Sequence, residues 1–525
     1  MKKTIVVFCF FITIHLFPQE GFYLLTTMSG DSVGDQFSVV SHIGDVNADG
    51  FDDVIVGAPG GDYAKLFFGG AVFDTIPDLI FRDYKQYNCR FGCSIAGDGD
   101  VNGDGYPDII IGASSTWIGP SCPFECFVTG AAYVYFGGPI IDTTADLTLI
   151  VGDWLTQTGW YYGFGKAVTI PGDLNGDGYD DFVAGAANDD YDAHGRVYIY
   201  YGGPNVDDQY DVLLEGEEVF DNFGFSLSKV GDMNNDGFDD VLIGAAMLHN
   251  DIPNKIYQGG KAYLVYGGNE ITLNNSIEFT DDTLSYQYGR FISGLGDVNG
   301  DSINDLGIMG GEYLNIISGN DFSTINAFYS SGDMWSLGSL SNLNQDGFND
   351  FAYVSDSLMI FFGQTILDTI PEYVFNWSDQ VSYLGFLNGD SKPEIALTVG
   401  GGWDPVGKIY IYSFGDLNGI DEEKNINVKS YILFQNYPNP FNSSTIIKYT
   451  IPKQEQVTLK IYDILGRLIT TLVNGNKNAG EHQVELNSEN LPSGVSAKGG
   501  YASGVYFYQL IAGNVILTNK LMLLK

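Results

Sequence analysis

Basic residues are scarce. The 525-residue chain has 24 Lys and Arg against 66 Asp and Glu, a formal net charge of −42. Binding nucleic acid through its phosphates needs Lys and Arg, so no nucleic-acid partner is expected. Helix signals are also missing: no stretch rich in Lys, Glu, Ala and Leu repeats every 3.6 residues. Beyond the first residues no apolar run is long enough to cross a bilayer. Histidines number five, and His42, His194 and His249 stand in unrelated contexts. No G-x-S-x-G, H-E-x-x-H or phosphate loop occurs. No catalytic constellation is expected.

Glycine and aromatic residues are plentiful instead, with 68 Gly, 34 Tyr and 35 Phe. That composition suits many short strands joined by tight turns. Lys2 and Lys3 precede a short apolar run from Thr4 to Phe17, which reads as an export signal over residues 1–20; a retained anchor is the alternative. Of five cysteines, Cys9 lies in that segment. Cys89, Cys93, Cys122 and Cys126 are even in number and close together, which in an exported protein points to two disulfides of unknown pairing. A zinc site built from the two C-x3-C pairs is the alternative.

Internal repetition is the main signal. Asp45-Val-Asn-Ala-Asp-Gly-Phe-Asp-Asp53 is followed by Val54-Ile-Val-Gly-Ala58, and the phrase returns with first positions at 100, 173, 232, 297, 342 and 386. A Phe-Gly strand precedes most copies, as at Phe91-Gly92 and Phe164-Gly165. An aromatic strand ending in Gly follows, as in Tyr133-Val-Tyr-Phe-Gly137. Each unit therefore reads as a four-stranded blade, and seven blades close into a ring. Phe22–Leu25 is the expected source of the last strand.

The loop pattern is D-x-N-x-D-G-x-x-D. Side-chain oxygens at positions 1, 3, 5 and 9, with a carbonyl at 7, can wrap one hard cation, and calcium takes roughly 6–8 oxygens. Glycine at position 6 permits the sharp turn. The alternative is a plain Asx-turn at a hairpin tip, which repetition disfavours. An EF-hand is excluded, because position 12 is Val56, Ile111, Ala184, Ile243 or Ile308 and none of these ligates.

These units resemble FG-GAP repeats, the blades of the integrin α propeller, over roughly residues 30–415. The resemblance implies Ca2+ ligands in each loop. They are Asp45, Asn47, Asp49, Phe51 (carbonyl) and Asp53; then Asp100, Asn102, Asp104, Tyr106 and Asp108. The third set is Asp173, Asn175, Asp177, Tyr179 and Asp181, and the fourth Asp232, Asn234, Asp236, Phe238 and Asp240. In the fifth, Asp297, Asn299, Asp301, Ile303 and Asp305, Ser302 replaces the turn glycine. The sixth, Asn342, Asn344, Asp346, Phe348 and Asp350, lacks one charge. About five strong sites and a weaker sixth are expected. Phe386 and Glu394 in the seventh copy imply no ion there.

Residues 416–430 read as a linker. Beyond them, six alternating strand patterns suggest a small immunoglobulin-like β-sandwich. Asn436-Tyr-Pro-Asn-Pro-Phe-Asn442, Tyr462-Asp-Ile-Leu-Gly-Arg467 and Ser503-Gly-Val-Tyr-Phe-Tyr508 resemble the type A C-terminal sorting domain of the type IX secretion system. The resemblance implies that residues 431–525 engage that machinery and that the chain reaches the medium or outer surface of a Gram-negative, Bacteroidota-like bacterium.

The fold class expected is thus all-β, a seven-bladed β-propeller over 21–415 followed by the sandwich. Long loops opposite the Asp loops carry Trp117, Tyr191, His194, His249, Tyr257 and Trp403, and the connection before the third blade adds Trp154 and Trp160. Exposed rings of this kind suit a glycan or protein ligand, against a bland reading of local packing. A secreted or surface adhesion module is the favoured function. A polysaccharide-degrading enzyme and a structural surface-layer component are the alternatives.

Overall fold

The computed structural model describes residues 22–83, 89–115, 117–118, 127–128, 130–151, 163–187, 194–217, 221–246, 260–280, 287–310, 313–330, 334–367, 369–375, 378–399, 406–415, 432–433, 441–442, 444–451, 453–464, 466–478, 480–487, 504–513 and 515–523. The signal segment and the linker lie outside them. The chain divides into two compact units, Met1–Asp416 and Leu417–Lys525. Among the described residues the only helical element is one 3-10 turn, Leu273–Asn275.

The first unit holds seven four-stranded antiparallel sheets, a pattern consistent with a β-propeller. They open with Val39–His42, Phe91–Ala96, Phe164–Gly172, Phe223–Gly231, Phe291–Gly296, Ser336–Ser341 and Gln380–Gly385. Each opening strand touches the next sheet's opening strand, and the seventh touches the first. The seventh sheet is completed from the start of the chain: Phe22–Ser29 pairs with Lys408–Phe414, from Phe22 opposite Phe414 to Ser29 opposite Lys408. A break in register at Leu24/Thr26 accommodates one extra residue.

Second strands are buried almost throughout, as in Val54–Ala58 and Ile109–Ala113. They read as continuous apolar runs because neighbouring sheets cover both their faces. Glycine in these strands has a steric cause. A Cβ at Gly57 would collide with the carbonyl of Gly92 in the next sheet, and one at Gly112 with that of Gly165. The Phe-Gly of one sheet thus sits on the glycine of its neighbour, while Phe91, Phe164 and Phe223 are fully buried.

Backbone bonds stitch the sheets together. The N–H groups of Gly70, Gly138, Gly203, Gly268 and Gln364 donate to Leu387, Val46, Val101, Leu174 and Val298 at 2.7–2.9 Å. In every case the acceptor is the second residue of the preceding sheet's Asp loop. The first of these bonds joins the first sheet to the seventh.

The second unit has a three-stranded sheet (Ile432–Leu433, Ser444–Ile451, Gly480–Asn487) and a four-stranded one (Leu468–Lys477, Glu455–Tyr462, Gly504–Ala512, Val515–Leu523). One core, including Ile447, Tyr449, Leu459, Tyr508 and Leu510, draws on both. The six expected strands are all present.

Candidate cation-binding loops

Each Asp loop links the first strand of a sheet to the second. All seven share one backbone shape, with positive φ at positions 4 and 6. Gly50, Gly105, Gly178 and Gly237 take φ of 91–93° at position 6, and Ser302 and Ser391 adopt the same region at 70° and 65°. The serines are therefore strained there, but they do not change the turn.

The acids at positions 1 and 5 shape the loop through backbone N–H groups. Asp45 accepts from Asp49 at 2.9 Å and from Gly50 at 2.7 Å, and Asp49 accepts from Phe51 at 3.1 Å. Asp100 accepts from both Gly103 and Gly105 at 2.7 Å. Asp173, Asp232 and Asp297 repeat the scheme. At Asn342 one bond remains, a long one of 3.4 Å from Gly347. Phe386 has no side-chain acceptor.

The ninth position differs from the reading of it as a ligand alone. Asp53 is fully buried. Its Oδ2 accepts the N–H of Val46 at 3.0 Å, and its Oδ1 accepts that of Gly69, beyond the third strand, at 2.7 Å. Asp108, Asp181, Asp240 and Asp305 make the matching pairs of bonds, and Asp350 accepts from Gly363 and, one residue further along its loop, from Asn344 at 3.2 Å. This acid therefore fastens its loop to its own sheet, whatever else it binds. A carboxylate oxygen has two lone pairs, so these bonds leave capacity for a cation.

Burial pushes the carboxyls of Asp53, Asp108, Asp181, Asp240, Asp305 and Asp350 up to about 7, and the acid at position 5, joined in the first five loops by that at position 1, pushes the same way. Like charges crowded at a buried carboxylate favour its protonated form unless a cation intervenes. The donors are all hard oxygens, as calcium requires. Among the described residues no three His, Cys, Asp or Glu side chains form a ready metal cluster. The three carboxylates of each loop are thus not drawn together in this structure, and Asn and a backbone carbonyl would complete the donor set. On this chemistry the loops that keep Asp at positions 1, 5 and 9 suit a hard divalent cation such as calcium.

Two positions carry contacts between loops that the spacing did not reveal. The position-8 acids reach back to the preceding loop: Asp180 Oδ2 accepts the N–H of Asp100 at 2.8 Å, Asp239 Oδ2 that of Asp173 at 3.0 Å, and Asp52 Oδ2 that of Phe386 at 2.7 Å. The position-7 rings of Tyr179, Phe238, Phe348 and Phe51 lie where a Cβ on Gly103, Gly176, Gly300 or Gly389 would go. The signal available was an acid or amide at position 8 in five of the seven copies.

The expected disulfides do not involve Cys89 and Cys93 here: both thiols are free. Cys89 Sγ lies 3.6 Å from Asp62 Oδ1, and Cys93 Sγ lies 3.5 Å from the Gly165 carbonyl. Cys122 and Cys126 lie outside the described residues. So do Trp154, Trp160, Tyr191, His249, Tyr257 and Trp403 of the suggested ligand face. His194 is exposed, and Trp117 is described only as backbone in the strand Trp117–Ile118.

The FG-GAP repeat family matches residues 40–73 and 91–121, and the secretion system C-terminal sorting domain matches residues 435–496. Integrin alpha-PS2 of Drosophila melanogaster is 31% identical over 235 residues, covering 42% of this chain and 16% of that one. Integrin alpha pat-2 of Caenorhabditis elegans is 29% identical, covering 38% and 17%, and mouse integrin alpha-8 is 27% identical, covering 48% and 24%. The chain thus spans less than a quarter of the length of these relatives. A crystal structure of BBS1N in complex with ARL6DN, soaked with mercury, covers 76% of this chain and 98% of that one, with a TM-score of 0.46 and 9% identity. No helix among the described residues is long and apolar enough to cross a membrane. The chain carries integrin-α-like FG-GAP repeats in an all-β unit and a type IX sorting domain at its C-terminus, the mark of a secreted or outer-surface protein of a Bacteroidota-like bacterium.

Proposed function

We propose that this protein is an extracellular adhesion or binding module, a seven-bladed propeller braced by calcium on one face and open to a ligand on the other. The observation that carries the reading is the recurrence of one loop geometry, with hard oxygen donors around a buried acid, in a unit joined to a sorting domain. Five loops take Ca2+ strongly, the sixth weakly, and the seventh takes none. Residues 1–20 are removed on export, 21–415 form the propeller, 416–430 link it to the tail, and 431–525 form an immunoglobulin-like sandwich that the type IX machinery reads.

The ligand is a glycan or a protein, met by the aromatic residues of the long loops opposite the calcium loops, among them Trp117, Tyr191 and Trp403. The loops that bind calcium serve the fold, so recognition falls to the less regular face. The test is capture by the immobilised mature chain from a glycan array and from surface-protein extracts. Selective, saturable capture that is lost on replacing Trp117 and Trp403 supports the reading. Capture unchanged by those replacements removes that face from recognition.

A further inference from the structure

We propose that the second, third and fourth loops take up their cations as one cooperative unit, with Asp180 and Asp239 as the coupling groups. The inference rests on the calcium reading above. Asp180 stands between two ligands of the third loop, the carbonyl of Tyr179 and the carboxylate of Asp181. Its Oδ2 accepts the N–H of Asp100, the first ligand of the second loop, at 2.8 Å. Its own N–H donates to the Asp100 carbonyl at 3.3 Å. Tyr179 packs its ring on Gly103, whose N–H holds Asp100 Oδ1 at 2.7 Å.

A cation in the third loop fixes Tyr179 and Asp181, and so fixes Asp180 between them. Backbone and side chain of Asp100 are then both held before the second loop fills. A site ordered in advance pays less entropy on binding, and such coupling acts equally in both directions. The next junction repeats the construction. Asp239 Oδ2 accepts from Asp173 at 3.0 Å, its N–H donates to the Asp173 carbonyl at 2.9 Å, and Phe238 packs on Gly176, which holds Asp173 Oδ1 at 2.6 Å.

The unit ends where these groups change, although between the fifth and sixth loops Asn349 keeps the backbone bond to the Asp297 carbonyl at 2.8 Å and Phe348 packs on Gly300. Between the first and second loops, position 8 is Pro107, with neither carboxylate nor N–H, and position 4 is Ala48. Between the fourth and fifth, Asn304 Nδ2 donates to the Val230 carbonyl at 2.8 Å and not to the first ligand, Asp232. At the closing junction Asp52 reaches Phe386, but the seventh loop has no first ligand to position.

The test is calorimetric titration of the full mature chain with calcium, folding being checked by circular dichroism. Asp177→Ala disables the third loop and Asp49→Ala disables the first. The expected result is that Asp49→Ala removes one ion and leaves the other affinities unchanged, while Asp177→Ala removes one ion and weakens two others about fivefold or more, the lower end of usual coupling. Asp180→Ala abolishes the effect of Asp177→Ala on the second loop, a double-mutant result that a merely structural role does not produce. Asp180→Asn, which keeps an accepting oxygen, restores it. If Asp177→Ala does not fold, Asp236→Ala puts the same question from the fourth loop. Two variants that each lose one ion with unchanged residual affinities overturn the coupling alone. A wild-type chain that takes up no calcium overturns the loop reading beneath it.

Discussion

Glu394 accepts the N–H of Leu387 at 2.9 Å, in the one loop whose first position is Phe386. Asp53 makes the same bond to Val46 in the first loop. The seventh loop has lost a ligand at position 1 yet keeps a buried acid at position 9. The acid therefore serves the fold independently of a cation.

Replacing Glu394 by Ala accordingly costs stability with no calcium present. It leaves the N–H of Leu387 buried without this partner, and an unsatisfied buried donor costs about 1–3 kcal/mol. Urea unfolding in chelator is expected to show a loss of about that size. An unchanged midpoint would mean that the bond contributes nothing.

Calcium-free protein is expected to lose stability as pH rises. In the folded chain the six position-9 aspartates titrate at about 7. In the unfolded chain they titrate near ~3.9. Between these values the folded state holds more protons, so stability falls as pH climbs from about 4 to about 7 and then levels. Bound calcium holds the carboxylates ionised and flattens the profile. Melting temperatures across pH, with and without chelator, check this; a chelated protein that gains stability from pH 5 to 7 contradicts it.

Phe22 closes the seventh sheet. It is 2% exposed, and its ring lies 4.8–5.4 Å from those of Tyr373, Phe375 and Phe414. Phe22→Ala is expected to cost about 3–5 kcal/mol, as for other buried Phe truncations. Proteolysis should then release the N-terminal strand first. Wild-type resistance in the variant would show that closure does not depend on this ring.

Gly112→Val is expected to be among the most damaging single changes in the first unit. A Cβ there meets the carbonyl of Gly165 and the hydroxyl of Ser94. Backbone cannot yield as a flexible side chain can, and overpacking costs about 1–3 kcal/mol or more. Gly105→Val tests local strain alone, because a Cβ at Gly105 meets nothing within 4 Å although its φ is 91°. Equal losses in the two variants, measured by urea unfolding, would remove the packing argument.

The repeat was legible because its loop needs particular chemistry at fixed spacing. Asp45, Asp49 and Gly50 each have a task that few other residues perform, so they recur in recognisable form. The strand from Phe22 was legible too, because the last unit lacked a fourth strand. The contacts of Asp180 and Asp239 were not, since a hydrogen bond between residues 80 or 66 positions apart leaves no local pattern. The structural bonds of Asp53 were hidden for the same reason: Gly69 is its partner through folding, 16 residues away. Cys89 shows the opposite error. Spacing suggested a bridge, but the thiol packs with Phe91 and Ile109 in the core between sheets.

The central claim is that the repeated loops hold calcium. Calorimetric titration of the chelator-stripped chain tests it directly. Five tight sites and a weaker sixth are predicted; fewer than three would contradict the account.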